Sequence, residues 1–505
     1  MTIETAIAPP RARWAVLPPS YLAMAWLLLL SLAVRWPYLG DPAPDYDEQL
    51  YSLVGIRMLE GAVPYVDIWD RKPYGLFLLF AAIHWVGGPH PLAYQAAAVV
   101  FAAFGGWLVF RIARVLSDGP GAVLSGALYI IGLTLFRVQS GQSEVFYLPV
   151  ALGMLLLTIP LLQQRELTRL QRGSAAIMLL GGVLLQLKYT ALPQCLFFGA
   201  TCLWLQWRAG ANLGRLVRFA AAAALLGIVP TLLVALYYLR LGAIESFAYA
   251  NFLSIFERGG LSAEYMAFYG MIVAICAFPY VALALAGMVR ARRALAGRPR
   301  AVWVLVALWT LANVIGFAMI GNIYIHYFAP VLPGLILMAS PFLGQGITGR
   351  VIGGLTLAFS LFLANFSSQI ATSQSNRAGI ARLTSLIAPH VDRQDACLFV
   401  FDGPTQLYRT TGSCLPTRYV YPDHLSNSME ADAIGTDSVA ELKRVLASRP
   451  AVIVTASKPV VPRYNPQAAS LIEDAVTRDY RRIGSVSFFP RHLHVNLRRD
   501  LTAAP

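Results

Sequence analysis

Residues 44–73 read PDYDEQLYSLVGIRMLEGAVPYVDIWDRKP and gather acidic and basic side chains in a chain that is otherwise strongly apolar. Asp47, Leu50, Tyr51, Val54 and Met58 recur at helical spacing after Pro44 and Asp45, so a carboxylate heads an apolar stripe. Glu48 falls well off that stripe. Gly61 and Pro64 end this helix, and Pro73 is expected at the first position of a second one, where its missing N–H does no harm. Arg71 and Lys72 then stand beside a helix N-terminus, whose free amide donors favour anions. The spacing thus predicts a carboxylate and a phosphate-receiving cationic corner, each on a short helix lying along a membrane. The plain alternative is a solvated loop whose acids cap helices and pair with Arg57, Arg71 and Lys72.

The elements that must position these residues follow from composition. The chain has 505 residues, of which 57% are hydrophobic and only 13% charged, with a mean hydropathy of +0.58. That is a polytopic membrane protein rather than a soluble one. Runs such as SYLAMAWLLLLSLAV lack the alternation of barrel strands, so the spans are helical. Spans are expected near residues 17–36, 92–110, 120–136, 145–162, 173–187, 190–206, 219–239, 266–288, 301–320, 328–344 and 350–366. The apolar stretch 74–86 is closed early by GGPHP and suits a re-entrant or interfacial helix better than a span. The first run lacks a small-residue cleavage site after it and is expected to stay as an anchor.

Charge distribution tests this count. With 74–86 left out, Arg11 and Arg13, Arg111 and Arg114, Arg165, Arg169 and Arg172, Arg208, Arg215 and Arg218, the block Arg290 to Arg300, and Arg350 all fall on one side, cytoplasmic by the positive-inside rule. The formal charge of +14 is therefore a topology signal, and no nucleic-acid partner is expected. The first loop, 37–91, becomes external, as does everything after residue 366.

The chain accordingly divides into a transmembrane region, 1–366, and an external α/β region, 367–505. In the latter, LFVF, RYVY, AVIVTA and VSFF…HLHVNL read as strands, while DSVAELKRVLASRP and QAASLIEDAVTRDYRRIG read as helices. Cys195, Cys202 and Cys276 sit in apolar runs as small hydrophobes. Cys397 and Cys414 allow a disulfide if this region lies in an oxidising compartment. His492 and His494 share a strand face and read as polar surface. No internal repeat is present.

The stretch DEQLYSLVGIRMLEGAVPYVDIWDRKP resembles the first external loop of GT-C class membrane glycosyltransferases, especially the protein mannosyltransferase and aminoarabinose transferase group (glycosyltransferase family 39). In that group a D-E pair and a following aromatic open one juxtamembrane helix and a K-P pair opens a second, and Asp47-Glu48, Tyr51 and Lys72-Pro73 match those positions. More loosely the resemblance covers the whole membrane region, including QSGQSEVFYLP and YIHYFAPVLP. Some relatives carry Glu before the K-P pair, where this chain has Arg71, with Asp70 as its substitute. The resemblance implies a polyprenyl phosphate sugar donor at the outer leaflet, Asp47 as the base for an acceptor hydroxyl, and a glycan, glycolipid or protein acceptor. Glu48, Tyr51, Asp70, Arg71, Lys72, Glu144, Lys188, His326 and Tyr327 are the expected substrate contacts. A polyprenyl phosphate leaves as a stable anion once cations hold it, so one base suffices, unlike the two carboxylates of glycoside hydrolysis. Attack opposite the phosphate predicts inversion.

Other ionisable groups sit at the expected bilayer edges: Arg137 and Glu144 around the second external loop, Lys188 in the tight QLKYTALP turn, and Arg240 and Arg258 around a later loop. Lys188 is the first choice for a second phosphate contact, because so short a turn restrains it. His326 and Tyr327 stand where an external loop meets a span, as belt residues by pattern and as substrate contacts by resemblance. Asp45 and Asp47 would allow a divalent ion, but the expectation is that no metal or other cofactor is required. The alternative function is a transporter or flippase of lipid-linked saccharides, which would favour internal repeats and mid-membrane charge. A third is a non-enzymatic receptor whose α/β region is the working part.

Overall fold

The computed structural model describes residues 20–366, 369–488 and 490–502. Arg11, Arg13 and the start of the first expected span lie outside the described residues. Eleven helices coincide with the expected spans: α1 (Ser20–Arg35), then, beyond the two short helices α2 (Tyr46–Leu59) and α3 (Tyr74–Gly87), α4 (Pro91–Ala113), α5 (Gly119–Leu135), α6 (Ser143–Leu161), α7 (Leu167–Leu187), α8 (Leu192–Arg208) and α9 (Leu213–Arg240). After the short α10 (Ile244–Ala248) and α11 (Ser254–Glu257) come α12 (Ala263–Ala294), α13 (Gly297–Met319), α14 (Leu332–Leu343) and α15 (Gly346–Phe366).

Among the described residues, eight helical stretches are long and apolar enough to cross a membrane. Of the rest, α5 is apolar all round and enclosed by α1, α4, α14 and α15, which explains a helix with no polar face. By contrast α9 shows Leu225, Ile228, Leu232 and Leu233 outward, the aspect of a helix facing hydrocarbon. Its inner face packs on α7 through Gly182, where a Cβ would meet the Gly227 carbonyl oxygen at 2.6 Å. The arginine-rich connections gather at one end of the bundle: Arg350 pairs with Asp118 at 2.5 Å and Arg165 donates to the Arg208 carbonyl at 3.0 Å.

At the opposite end, α16 (Gln369–Ile387) leads into a four-stranded sheet, β1 (Leu398–Val400), β2 (Val452–Ala456), β3 (Tyr480–Phe488) and β4 (Arg491–Arg498), ordered β1-β2-β4-β3. The β1–β2 pair is parallel and the others antiparallel, with a bulge between Arg482 and Gly484. Helices α17 (Gln406–Thr410), α18 (Pro422–Ser426), α19 (Ser438–Ala447) and α20 (Pro466–Asp479) complete this unit. Cys397 and Cys414 form a disulfide that ties the start of β1 to the segment after α17. His494 bonds Ser485 on the neighbouring strand at 3.0 Å.

Three expectations need correction. RYVY is not a strand: it runs toward the bundle, with the Arg418 carbonyl accepting from the Trp69 N–H at 2.9 Å, and Pro422 then starts α18. YRRIG, expected to prolong a helix, is the beginning of β3. Finally, α2 does not lie with one face free, for every residue from Glu48 to Ile56 is buried. The C-terminal unit covers its other side, as when Gln49 accepts from the Gln406 N–H at 3.3 Å.

Candidate functional site

The N-termini of α2 and α3 come to one point. Gly55 allows this, since a Cβ there would stand 2.8 Å from the Ala81 nitrogen and the Phe80 carbonyl carbon, so the helices touch backbone to backbone. Asp45 caps α2, its carboxylate accepting from the Asp47 N–H at 3.1 Å. Asp47 therefore stands in the first turn, where the helix dipole favours a negative charge. The return segment is held by Tyr65, left-handed at φ 66°, whose hydroxyl donates to the Lys72 carbonyl at 2.8 Å. Pro73 takes the cap position and α3 begins one residue later than expected.

This geometry sets Lys72 Nζ 3.6 Å from Asp47 Oδ1 and 3.7 Å from Asp70 Oδ2. The Tyr51 ring lies beneath the ammonium, 5.2 Å away. Burial works to raise the Asp47 carboxyl, but Lys72, His326 and Lys188 outweigh it and hold it well below the usual carboxylate range. Burial likewise works to neutralise Lys72, yet Asp47 and Asp70 keep it charged beyond the ordinary lysine range. Asp70 is lifted by burial, against the pull of Lys72.

A cavity of about 450 Å³ opens over this pair. Asp45, Asp47, Asp70, Arg71 and Lys72 line one side; Lys188, His326 and Tyr327 line another. Lys188 is held by Glu144 at 3.2 Å and Ser143 at 3.0 Å, with the Tyr327 ring at 5.5 Å. Tyr327 and His326 sit ring to ring at 4.6 Å. Arg137 and Arg258 also reach the cavity, whereas Arg240 does not line it.

Three expected substrate contacts, Glu48, Glu144 and Tyr51, do not line the cavity. Glu48, next to Asp47 but turned by a helical step, is 1% exposed and accepts the Gly141 N–H at 2.5 Å, pinning the second loop to α2. Burial, and after it the charge of Asp45, pushes its carboxyl well up. Glu144 faces a separate small void with Tyr147, Gln194 and Asn313 and serves Lys188 as counter-ion. Tyr51 is fully buried, with its ring beneath Lys72 and its side chain facing Asp47. Arg71 lines the cavity, but its guanidinium is bidentate to Glu430 at 3.0 and 2.5 Å and donates to the Ala433 carbonyl at 3.1 Å. It joins the two parts of the chain rather than waiting free for a phosphate.

The remaining wall was not visible in sequence. Tyr421, Asp423 and His424 from the C-terminal unit line the cavity, with Val460 to Pro462. Tyr421 donates to Asp47 Oδ1 at 3.2 Å. Glu430 lies fully buried between Arg71 and Arg258, the latter at 2.5 Å. Burial opposes its charge, but the two guanidiniums hold the carboxyl down at about 2. Burial lowers His424 to about 3, so it faces the site neutral. Among the described residues no cluster of three or more His, Cys, Asp or Glu side chains is placed to hold a metal ion.

The fold that carries this cavity is that of the GT-C class of membrane glycosyltransferases, shared over most of the chain with several solved structures. In particular, the chain is similar to ArnT from Cupriavidus metallidurans bound to undecaprenyl phosphate, with a TM-score of 0.63 and 15% identity over 96% of this chain and 99% of that one. It is also similar to the arabinofuranosyltransferase AftD from Mycobacteria, with a TM-score of 0.53 and 15% identity over 95% of this chain but only 39% of that one. The oligosaccharyltransferase of Archaeoglobus fulgidus tethered to an acceptor peptide aligns with a TM-score of 0.50 and 11% identity, over 86% of this chain and 69% of that one. No protein-family model matches the chain, and no curated protein sequence does.

Proposed function

We propose that this protein is an inverting glycosyltransferase that moves a sugar from a polyprenyl phosphate donor to an acceptor hydroxyl at the outer face of a cytoplasmic membrane. The observation that carries the reading is the Asp47–Lys72 pair, 3.6 Å apart, on the wall of a cavity at the end of the bundle away from the arginine-rich loops. The structural likeness to a protein bound to undecaprenyl phosphate supports it. In this reading the N-terminus is cytoplasmic, residues 1–366 form the membrane region, and residues 367–505 form an external unit. Acceptors are glycans, glycolipids or proteins, and the surrounding lipid is a partner throughout.

Asp47 takes the acceptor proton while the acceptor oxygen bonds the anomeric carbon. The bond from that carbon to the phosphate oxygen breaks, and polyprenyl phosphate leaves on Lys72 and Lys188. Since Lys72 holds Asp47 well below the ordinary carboxylate range, the resting carboxylate is a weak base. A bound phosphate answers this: it offsets the positive charge around Asp47 and raises its basicity when the donor is in place. Lys72 and Lys188 supply the positive charge the leaving group needs, and in this reading no divalent ion is required.

The test is purified protein in vesicles, given a panel of polyprenyl phosphate sugars with candidate acceptors, and the anomeric configuration of any product. A product of inverted configuration supports the reading. Movement of the lipid-linked sugar between leaflets with no new glycosidic bond would replace it with the flippase.

A further inference from the structure

The cavity wall contributed by the C-terminal unit holds a group that touches the proposed base. Tyr421 is fixed on both sides. Ahead of it, the Arg418 carbonyl accepts from the Trp69 N–H at 2.9 Å. Behind it, the His424 ring meets Trp69 edge-on at 4.7 Å, Asp423 faces Arg258 at 3.7 Å, and Glu430 is clamped between Arg71 and Arg258. The Tyr421 ring packs edge-on against Tyr46 at 6.5 Å. Its hydroxyl reaches Asp47 Oδ1, the same oxygen that Lys72 approaches.

We propose that Tyr421 is a positioning residue of the transfer site, its phenol orienting the Asp47 carboxylate toward the acceptor hydroxyl, so that chemistry depends on a docked C-terminal unit. The assignment rests on the function proposed above. A phenol that donates to a carboxylate stabilises the charged form and restrains its rotation. The other titratable groups facing Asp47 are Asp45 and Tyr51 on its own helix, Asp70 and Lys72 from the next segment, Lys188 from the α7–α8 corner, and His326 from the loop before α14. Tyr421 comes from the C-terminal unit and donates directly to that carboxylate.

If the ring were only a wedge against Tyr46 and His424, removing the hydroxyl would change little, and Tyr421→Phe separates the two roles. With Tyr421→Phe we expect kcat to fall about tenfold, KM for the donor to stay within about twofold, and the acid limb of kcat, which reports the donor-bound complex, to move up by about one pH unit. The direction follows from losing a donor to the carboxylate, which raises its pKa. Fluorotyrosine at position 421, a stronger donor of nearly the same shape, is expected to move the limb the other way, and it serves if the Phe variant does not fold. An active wild type whose limb and kcat are unmoved in these variants overturns the assignment. A wild type that transfers nothing from any donor in the panel removes the underlying reading and this assignment with it.

Discussion

Asp47, in the first turn of α2, and Lys72, just ahead of the Pro73 cap of α3, face each other across 3.6 Å from Oδ1 to Nζ. Their side chains keep 18% and 21% of their surface, so both can be reached from the cavity, while each is dry enough to feel the other's charge. A phosphate arriving at Lys72 necessarily changes the electrostatics of Asp47. Binding of the donor and readiness of the base are thereby coupled through a single ion pair.

Lys72→Ala should weaken donor binding. One charge-assisted contact is lost and the leaving group is less well held, so kcat/KM for the donor is expected to fall about a hundredfold. Titration with polyprenyl phosphate alone, without sugar, checks the binding part.

Removing the buried carboxylate between Arg71 and Arg258 leaves Arg71 without its ion-pair partner and Arg258 with Asp423 alone at 3.7 Å. Glu430→Ala is expected to destabilise docking of the C-terminal unit by about 3–5 kcal/mol, read as protease cleavage near residues 418–437 and a lower thermal transition.

The same carboxyl sets a pH window. Glu430 is depressed from an ordinary 4.5 to about 2, so its contribution is complete above about 4.5 and is lost as pH falls toward 2. Thermal scans between those values should show a falling transition that flattens in Glu430→Gln.

Glu48 gives a contrast with its neighbour. Burial pushes its carboxyl well up, so Glu48→Gln preserves both shape and the acceptor for the Gly141 N–H and should leave KM for the donor unchanged. Glu48→Ala orphans that N–H and should cost about 1–3 kcal/mol of stability. A rise in KM with Gln would instead make Glu48 a substrate contact.

Much of this was legible because local pattern decides it. Apolar runs and arginine clusters marked the helices α1, α4–α9 and α12–α15, and the periodicity after Pro44 marked α2 with Asp47 at its head. Lys72 followed from the proline after it. The C-terminal wall was not legible, because Tyr421 meets Asp47 across 374 residues and Glu430 meets Arg71 across 359. Nothing in RYVY distinguishes a strand from a segment whose backbone bonds go to another part of the chain. Glu48 is set off the apolar stripe by the periodicity itself, since adjacent residues on a helix point about 100° apart, but its bond to the Gly141 N–H is a packing contact that the pattern does not show. The pairing of Arg71 with Glu430 was hidden for the same cause as Tyr421, since its partner is distant in sequence.

The most direct test of the account is single-turnover sugar transfer by the wild type and by Asp47→Asn, alongside the affinity of each for polyprenyl phosphate. The account predicts a loss of about 100- to 10,000-fold in the transfer step, with lipid phosphate bound as tightly as before or more tightly, because Lys72 is freed from its carboxylate. Transfer by Asp47→Asn at a rate near that of the wild type would contradict it.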